Sequence, residues 1–143
     1  MADESRARMF AGAVGGAGGL QGTQGAEGKV LLSRGCDPLM MERAPAMLGP
    51  YLGGCEMVGC TNDDEFVRLL TSGRRFDVVF FAPGACRWSA SKQPIPGGNS
   101  TTRGWGIDEY KRLVAQHHPD ARIVETTEES KMVMLLRAAL DLQ

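Results

Sequence analysis

The sequence predicts an α/β domain, a three-layer arrangement in which helices cover both faces of a parallel sheet of about four strands. Three observations carry this expectation. Short continuous apolar runs, Val30-Leu31-Leu32 and Val78-Val79-Phe80-Phe81, have the pattern of strands buried on both faces, as in a parallel sheet. Amphipathic segments with helical spacing separate the strand candidates, and that alternation implies right-handed crossovers. Two of the segments open on strong helix starts, Asp37-Pro38 and Thr61-Asn62-Asp63-Asp64-Glu65.

The elements follow in order. Residues 1–28, dominated in their second half by Gly, Ala and Gln, have almost nothing to anchor in a core and are expected to form a flexible arm; the folded domain, 29–143, begins with the first strand at Lys29. Asp37 is placed to cap free amides while Pro38 takes the first helical position. Leu39, Met40, Met47, Leu48, Tyr51 and Leu52 recur at helical spacing, and Pro45 and Pro50 predict a kink or two short pieces. Cys55-Glu56-Met57-Val58 is the second strand. The carboxylates at 63–65 lie where a helix dipole is positive, Phe66, Leu69 and Leu70 form the inner face, and Gly73 ends that helix. Asp77 to Phe81 is the central strand. From Pro83 to Gly106 the sequence predicts one long irregular loop. Ile107, Tyr110, Leu113 and Val114 mark the next helix, Ala121 to Val124 a fourth strand, and Met132, Leu135, Leu136, Ala139 and Leu140 a final helix begun near Thr127.

Charge and composition narrow the function classes. Sixteen basic and 17 acidic residues give no global attraction to nucleic acid or an anionic membrane. No apolar run approaches the roughly 20 residues of a membrane-spanning helix, so the expectation is a soluble protein. Four cysteines in 143 residues do not form a disulfide scaffold, and a reducing, cytoplasmic setting is the default. Arg6 and Arg8 leave organellar targeting open, although Asp3 and Glu4 interrupt a positive start.

Three pieces of sequence, taken in order, carry a resemblance. Lys29-Val30-Leu31-Leu32 with Asp37-Pro38-Leu39-Met40, then Ser72-Gly73-Arg74-Arg75-Phe76-Asp77-Val78-Val79, then His118-Pro119-Asp120-Ala121-Arg122-Ile123-Val124, make the segment 29–137 resemble the receiver domain of bacterial-type response regulators. The resemblance implies a flavodoxin-like sandwich with strand order 2-1-3-4-5. Receiver chemistry needs an acidic pair after the first strand to hold magnesium, an aspartate after the third, a hydroxyl after the fourth and a lysine after the fifth. Here the first turn is Ser33-Arg34-Gly35-Cys36, the nucleophile position matches Ala82, and Thr127 alone matches, at the hydroxyl. With Gln143 reached before a fifth strand, the resemblance implies a degenerate pseudo-receiver with no metal, no cofactor and no phosphoryl transfer, its fourth strand lying at the sheet edge.

The functional expectation is a non-catalytic interaction or assembly subunit, with a protein partner or a second copy of itself, docking through the 83–106 loop and the fourth-strand edge. Arg87, Trp88, Lys92, Arg103 and Trp105 combine aromatic and basic anchors in that loop, and Arg122 lies on the edge. Arg122 and Glu125 have a plainer reading, as charges that keep an uncovered edge soluble. The rival expectation is a small enzyme or ligand-binding protein working at the carboxyl-end rim of the sheet. Cys36, Cys60 and Cys86 each follow a strand there, and Gly97, Gly98, Ser100 and Thr101 suggest an amide nest for an anion or nucleotide. No Cys-x-x-Cys spacing supports a metal. The adjacent His117 and His118 point in different directions on a helix and suit a helix end rather than a shared ligand set.

Overall fold

A computed structural model describes residue 22 and residues 24–142. In chain order the elements are β1 (Val30–Arg34), α1 (Pro38–Leu48), β2 (Glu56–Cys60), α2 (Asp63–Leu70), β3 (Val78–Phe81), α3 (Pro83–Ala90), α4 (Ile107–His117), β4 (Arg122–Glu125) and α5 (Met132–Ala139). Short 3-10 turns at Gly49–Tyr51 and Glu129–Lys131 follow α1 and precede α5. The strands form one sheet in the order β2-β1-β3-β4, and every pairing is parallel. This is a flavodoxin-like α/β sandwich.

Strand periodicity sorts the core onto two faces. Leu31, Val78, Phe80 and Val124 point to one side and pack with Leu48, Met132, Val133 and Leu136 of α1 and α5. Leu32, Val79 and Phe81 point to the other and pack with Phe66 and Leu70 of α2, Ala85 and Cys86 of α3, and Tyr110 and Val114 of α4. Every residue of β3 is buried, as its run of Val and Phe requires for a central strand covered on both faces.

The helix starts use the caps legible in the sequence. The Asp37 carboxylate accepts from the amides of Leu39 and Met40, and Asn62 accepts from the Glu65 amide at 2.8 Å. Helix α1 runs unbroken through the exposed Pro45, and the regular helix gives way only at Gly49-Pro50, where the 3-10 turn begins. The larger correction concerns 83–106. Its first eight residues are α3, with Pro83 at the first helical turn, where a missing N–H costs nothing, and Ala85 and Cys86 buried against the sheet.

The remaining corrections are at boundaries. Strand β2 extends to Cys60, which brings Gly59 into the strand; β4 is shifted one residue later, and α5 starts regular helix at Met132 rather than near Thr127. The arm expected over 1–28 lies, for 1–21 and 23, outside the described residues. Its last residues do not behave as an arm: Ala26 is fully buried in the core on the α1–α5 face, its amide donates to the Gly53 carbonyl, and the Gly22 amide donates to the Pro50 carbonyl.

Candidate functional site

Two neighbouring structures occupy the carboxyl end of the sheet. The first is a buried polar cluster built on Arg34, the last residue of β1, whose side chain alternates onto the α2–α4 face. Its Nε and Nη2 donate to the same Asp63 oxygen at 3.1 and 2.9 Å, Nη2 donates to the Pro96 carbonyl at 2.8 Å, and Nη1 donates to the carbonyl of Gly35. The other Asp63 oxygen accepts from the hydroxyls of Thr102 and Tyr110, both at 2.6 Å. Arg34 and Asp63 have no solvent exposure, so each charge is stabilised by its partner and by the surrounding dipoles. Burial, followed by the Asp63 contact, pushes the Tyr110 phenol up to about 12.

This cluster anchors the segment after α3. Ile95 is buried, the Asp63 amide donates to the Gly97 carbonyl at 2.8 Å, and the amides of Asn99, Thr101 and Thr102 all donate to side chains within the segment. The 91–106 stretch is therefore tied to β1, α2 and α4 rather than standing open. Of Gly97, Gly98, Ser100 and Thr101, suggested as an anion nest, Thr101 has its amide engaged within the segment, and both members of the Arg34–Asp63 pair lie close: Arg34 Nη2 stands 3.2 Å from where a Gly97 Cβ would be and Asp63 3.7 Å from a Gly98 Cβ, while Asp64 accepts from Asn99 at 2.9 Å. Gly97 is required for packing. It has φ +87°, and a Cβ there would stand 2.4 Å from the Thr61 carbonyl oxygen.

The second structure is a pocket of about 430 Å³ on the opposite face, between α1 and α5. Leu31 and Phe80 form its floor, and Met40, Met41, Met57 and Met132 line it from α1, β2 and α5. Its mouth is formed by Ser33 near the end of β1 and Cys36 after it, Ala82 and Gly84 after β3, and the carboxylate-bearing Asp37 and Glu129. Chain direction diverges between β1 and β3, one leading to β2 and the other to β4, so the mouth lies at the topological switch point of the sheet.

Of the thiols expected together at the rim, Cys36 lines the pocket while Cys60 and Cys86 belong to the core on the other face of the sheet. Cys36 is half-buried at the pocket mouth, its Sγ 2.8 Å from a Cβ position on Gly84, and burial pushes its pKa up. Cys60 ends β2 and Cys86 is on the buried face of α3, and burial raises their thiols to about 12 and about 11. Cys86 donates to the Phe81 carbonyl on the α2–α4 face, so Cys36, Cys86 and the Gly97-Gly98 turn do not share a site. Among the described residues no group of three or more His, Cys, Asp or Glu is placed to hold a metal ion. His118 contacts the Leu70 carbonyl at 2.8 Å and packs edge-on against Phe76.

The docking candidates fall into two groups. Trp88, Lys92 and Arg103 are exposed, with Trp88 43% accessible. Arg87 is exposed but engaged, donating to the Thr127 carbonyl at 3.0 Å and pairing with Glu129. Trp105 folds back, its ring 5.2 Å from that of Tyr110. Arg122 reaches the C-terminal end of α5, where it donates to the Ala139 carbonyl at 3.2 Å and to Asp141 at 2.6 Å; Lys29 donates to the Leu140 carbonyl beside it. Both cations complement the negative end of that helix, and the hydrogen bond from Arg122, followed by that from Lys29, lowers the pKa of Asp141.

No family model, curated protein or solved structure matches this chain. Among the described residues no helix is long and apolar enough to cross a membrane.

Proposed function

We propose that this chain is a non-catalytic interaction module on a degenerate receiver-like scaffold, docking a protein partner or a second copy through the 83–106 segment and the β4 edge. The observation that carries the reading is Trp88, a large aromatic left 43% exposed on a helix whose following segment is locked to the core through Pro96, Gly97 and Thr102. An exposed tryptophan on a rigid support loses little conformational entropy on binding, the property expected of an interface anchor. Arg87, one residue away, bridges to Thr127 and Glu129, which joins α3 to the segment leaving β4. The edge itself is short and carries Arg122 and Glu125, so it serves as a flank to the anchor rather than as a template for open-ended strand pairing.

The test replaces exposed groups only. Removing residues 88–105 would also remove Thr102 from Asp63 and Pro96 from Arg34, leaving buried charges under-satisfied. The variant Trp88→Ala/Lys92→Glu/Arg103→Glu keeps those contacts. Affinity capture followed by cross-linking, with light scattering for self-association, should show a partner held by the intact chain and lost from the variant. Equal partners and equal mass for both proteins would sink the reading.

A further inference from the structure

The docking reading leaves the pocket between α1 and α5 unused, and its chemistry differs from that of the rim ligand expected from sequence. At about 430 Å³ it falls within the range of small-molecule sites, roughly 300–1,000 Å³. Its body is apolar, and four of the chain's eight methionines line it. Methionine is flexible and polarizable, so such a wall adapts to chains of different shape. The slot for Met41 is itself built by glycine: a Cβ on Gly59 would stand 2.2 Å from the Met41 sulfur, and one on Gly35 would stand 2.6 Å from its methyl.

Polar groups occur only at the mouth, and they select the head group. Ser33 and Cys36 offer a hydroxyl and a thiol. The charges there already have work within the fold: Asp37 caps α1, and Glu129 pairs with Arg87. A carboxylate or phosphate head would meet two carboxylates with no unengaged cation among the described lining residues, whereas an uncharged hydroxyl or carbonyl can exchange hydrogen bonds with Ser33. We infer that the pocket binds an uncharged, predominantly apolar molecule, with its chain among the methionines and one neutral polar group at the Ser33–Cys36 mouth. The ligand site thus lies at the switch point, on the face opposite the docking segment.

Nile red, an uncharged dye that brightens in apolar surroundings, is the probe for the intact protein. Saturable binding at one site per chain is expected. Dodecanol should displace the dye at a concentration about tenfold below that needed with dodecanoate, a difference of about 1.4 kcal/mol. Location is read in the same unmodified protein by alkylation and peptide mapping: dodecanol should slow modification of Cys36 while leaving Cys55, half-buried at the opposite end of the sheet, unchanged. Ala44→Phe, on the α1 wall of the pocket, should weaken dye binding at least about tenfold with unaltered circular dichroism. Absence of saturable binding, equal displacement by the carboxylate, or protection of Cys55 alongside Cys36 would each overturn the inference. The Cys36 protection arm also decides the case if Ala44→Phe fails to fold.

Discussion

Arg34 and Asp63 form an ion pair with no solvent exposure, joining the end of β1 to the start of α2. Both are satisfied by further hydrogen bonds, so the pair is tolerable as a unit and costly when split. Arg34→Met or Asp63→Leu alone is expected to lower stability by about 3–5 kcal/mol, because each leaves the other charge buried and unpaired. The double variant Arg34→Met/Asp63→Leu should lose less than the sum of the two single effects. Urea denaturation of the four proteins measures the coupling, and strict additivity would show that the pair is not a unit.

Tyr110 gives the same cluster a pH signature. Burial first, and the Asp63 contact second, raise its phenol to about 12 in the folded chain, against about 10 when unfolded. The unfolded chain therefore loses this proton first as pH rises, and the associated stability is complete below about pH 10 and lost between about 10 and 12. The buried thiols of Cys60 and Cys86 shift in the same direction, to about 12 and about 11, so the Cys60 contribution is lost across the whole window and that of Cys86 across its lower part. Tyr110→Phe should lower stability at neutral pH by about 1 kcal/mol and flatten the decline between pH 10 and 12. Denaturation curves at several alkaline pH values check both effects; an unchanged slope in the variant would exclude Tyr110 as its source.

Gly97 and Gly104 separate backbone conformation from packing. Both have left-handed φ, +87° and +81°, but a Cβ at Gly104 meets nothing within 4 Å while one at Gly97 meets the Thr61 carbonyl oxygen at 2.4 Å. Gly104→Ala should cost only the conformational strain, about 1 kcal/mol. Gly97→Ala should cost about 2 kcal/mol or more, because the 96–102 turn must move off the start of α2. Thermal unfolding ranks the two, and an equal loss would mean that the turn yields freely.

The sheet was legible because its signals are local. The run Val78–Phe81 is apolar at every position, and Asp37-Pro38 states a helix start in two residues. Helix α3 was not legible, since Pro-Gly at its start and the Pro and Gly residues beyond it outweigh a weak apolar pattern whose buried face is only Pro83, Ala85 and Cys86. The buried cluster was hidden for a different reason. The partners that Arg34 and Asp63 bind across the fold lie 29 to 62 positions from them, and Asp63 is one of three consecutive acids that look alike until Arg34 selects one of them. An arginine following the apolar run Val30-Leu31-Leu32 at the strand's end was the available signal, because a charge on the inner face of a parallel sheet requires a partner. The pocket likewise depends on where α5 lands relative to α1, which helical periodicity does not specify.

Trp88 and Trp105 are the chain's only two tryptophans, and they have different standing in the fold. Trp105 is half-buried with its ring edge-on to Tyr110, whose hydroxyl in turn holds Asp63. Trp105→Ala is expected to cost about 2 kcal/mol, through lost burial and the loosening of that aromatic contact. Trp88, on the exposed side of α3, should tolerate Ala within about 0.5 kcal/mol. Each variant leaves a single emitter, so fluorescence checks the assignment: the protein retaining Trp88 should emit further to the red and be quenched more readily by iodide than the one retaining Trp105. If Trp88→Ala destabilises the chain as much as Trp105→Ala does, Trp88 belongs to the core and the docking surface loses its anchor.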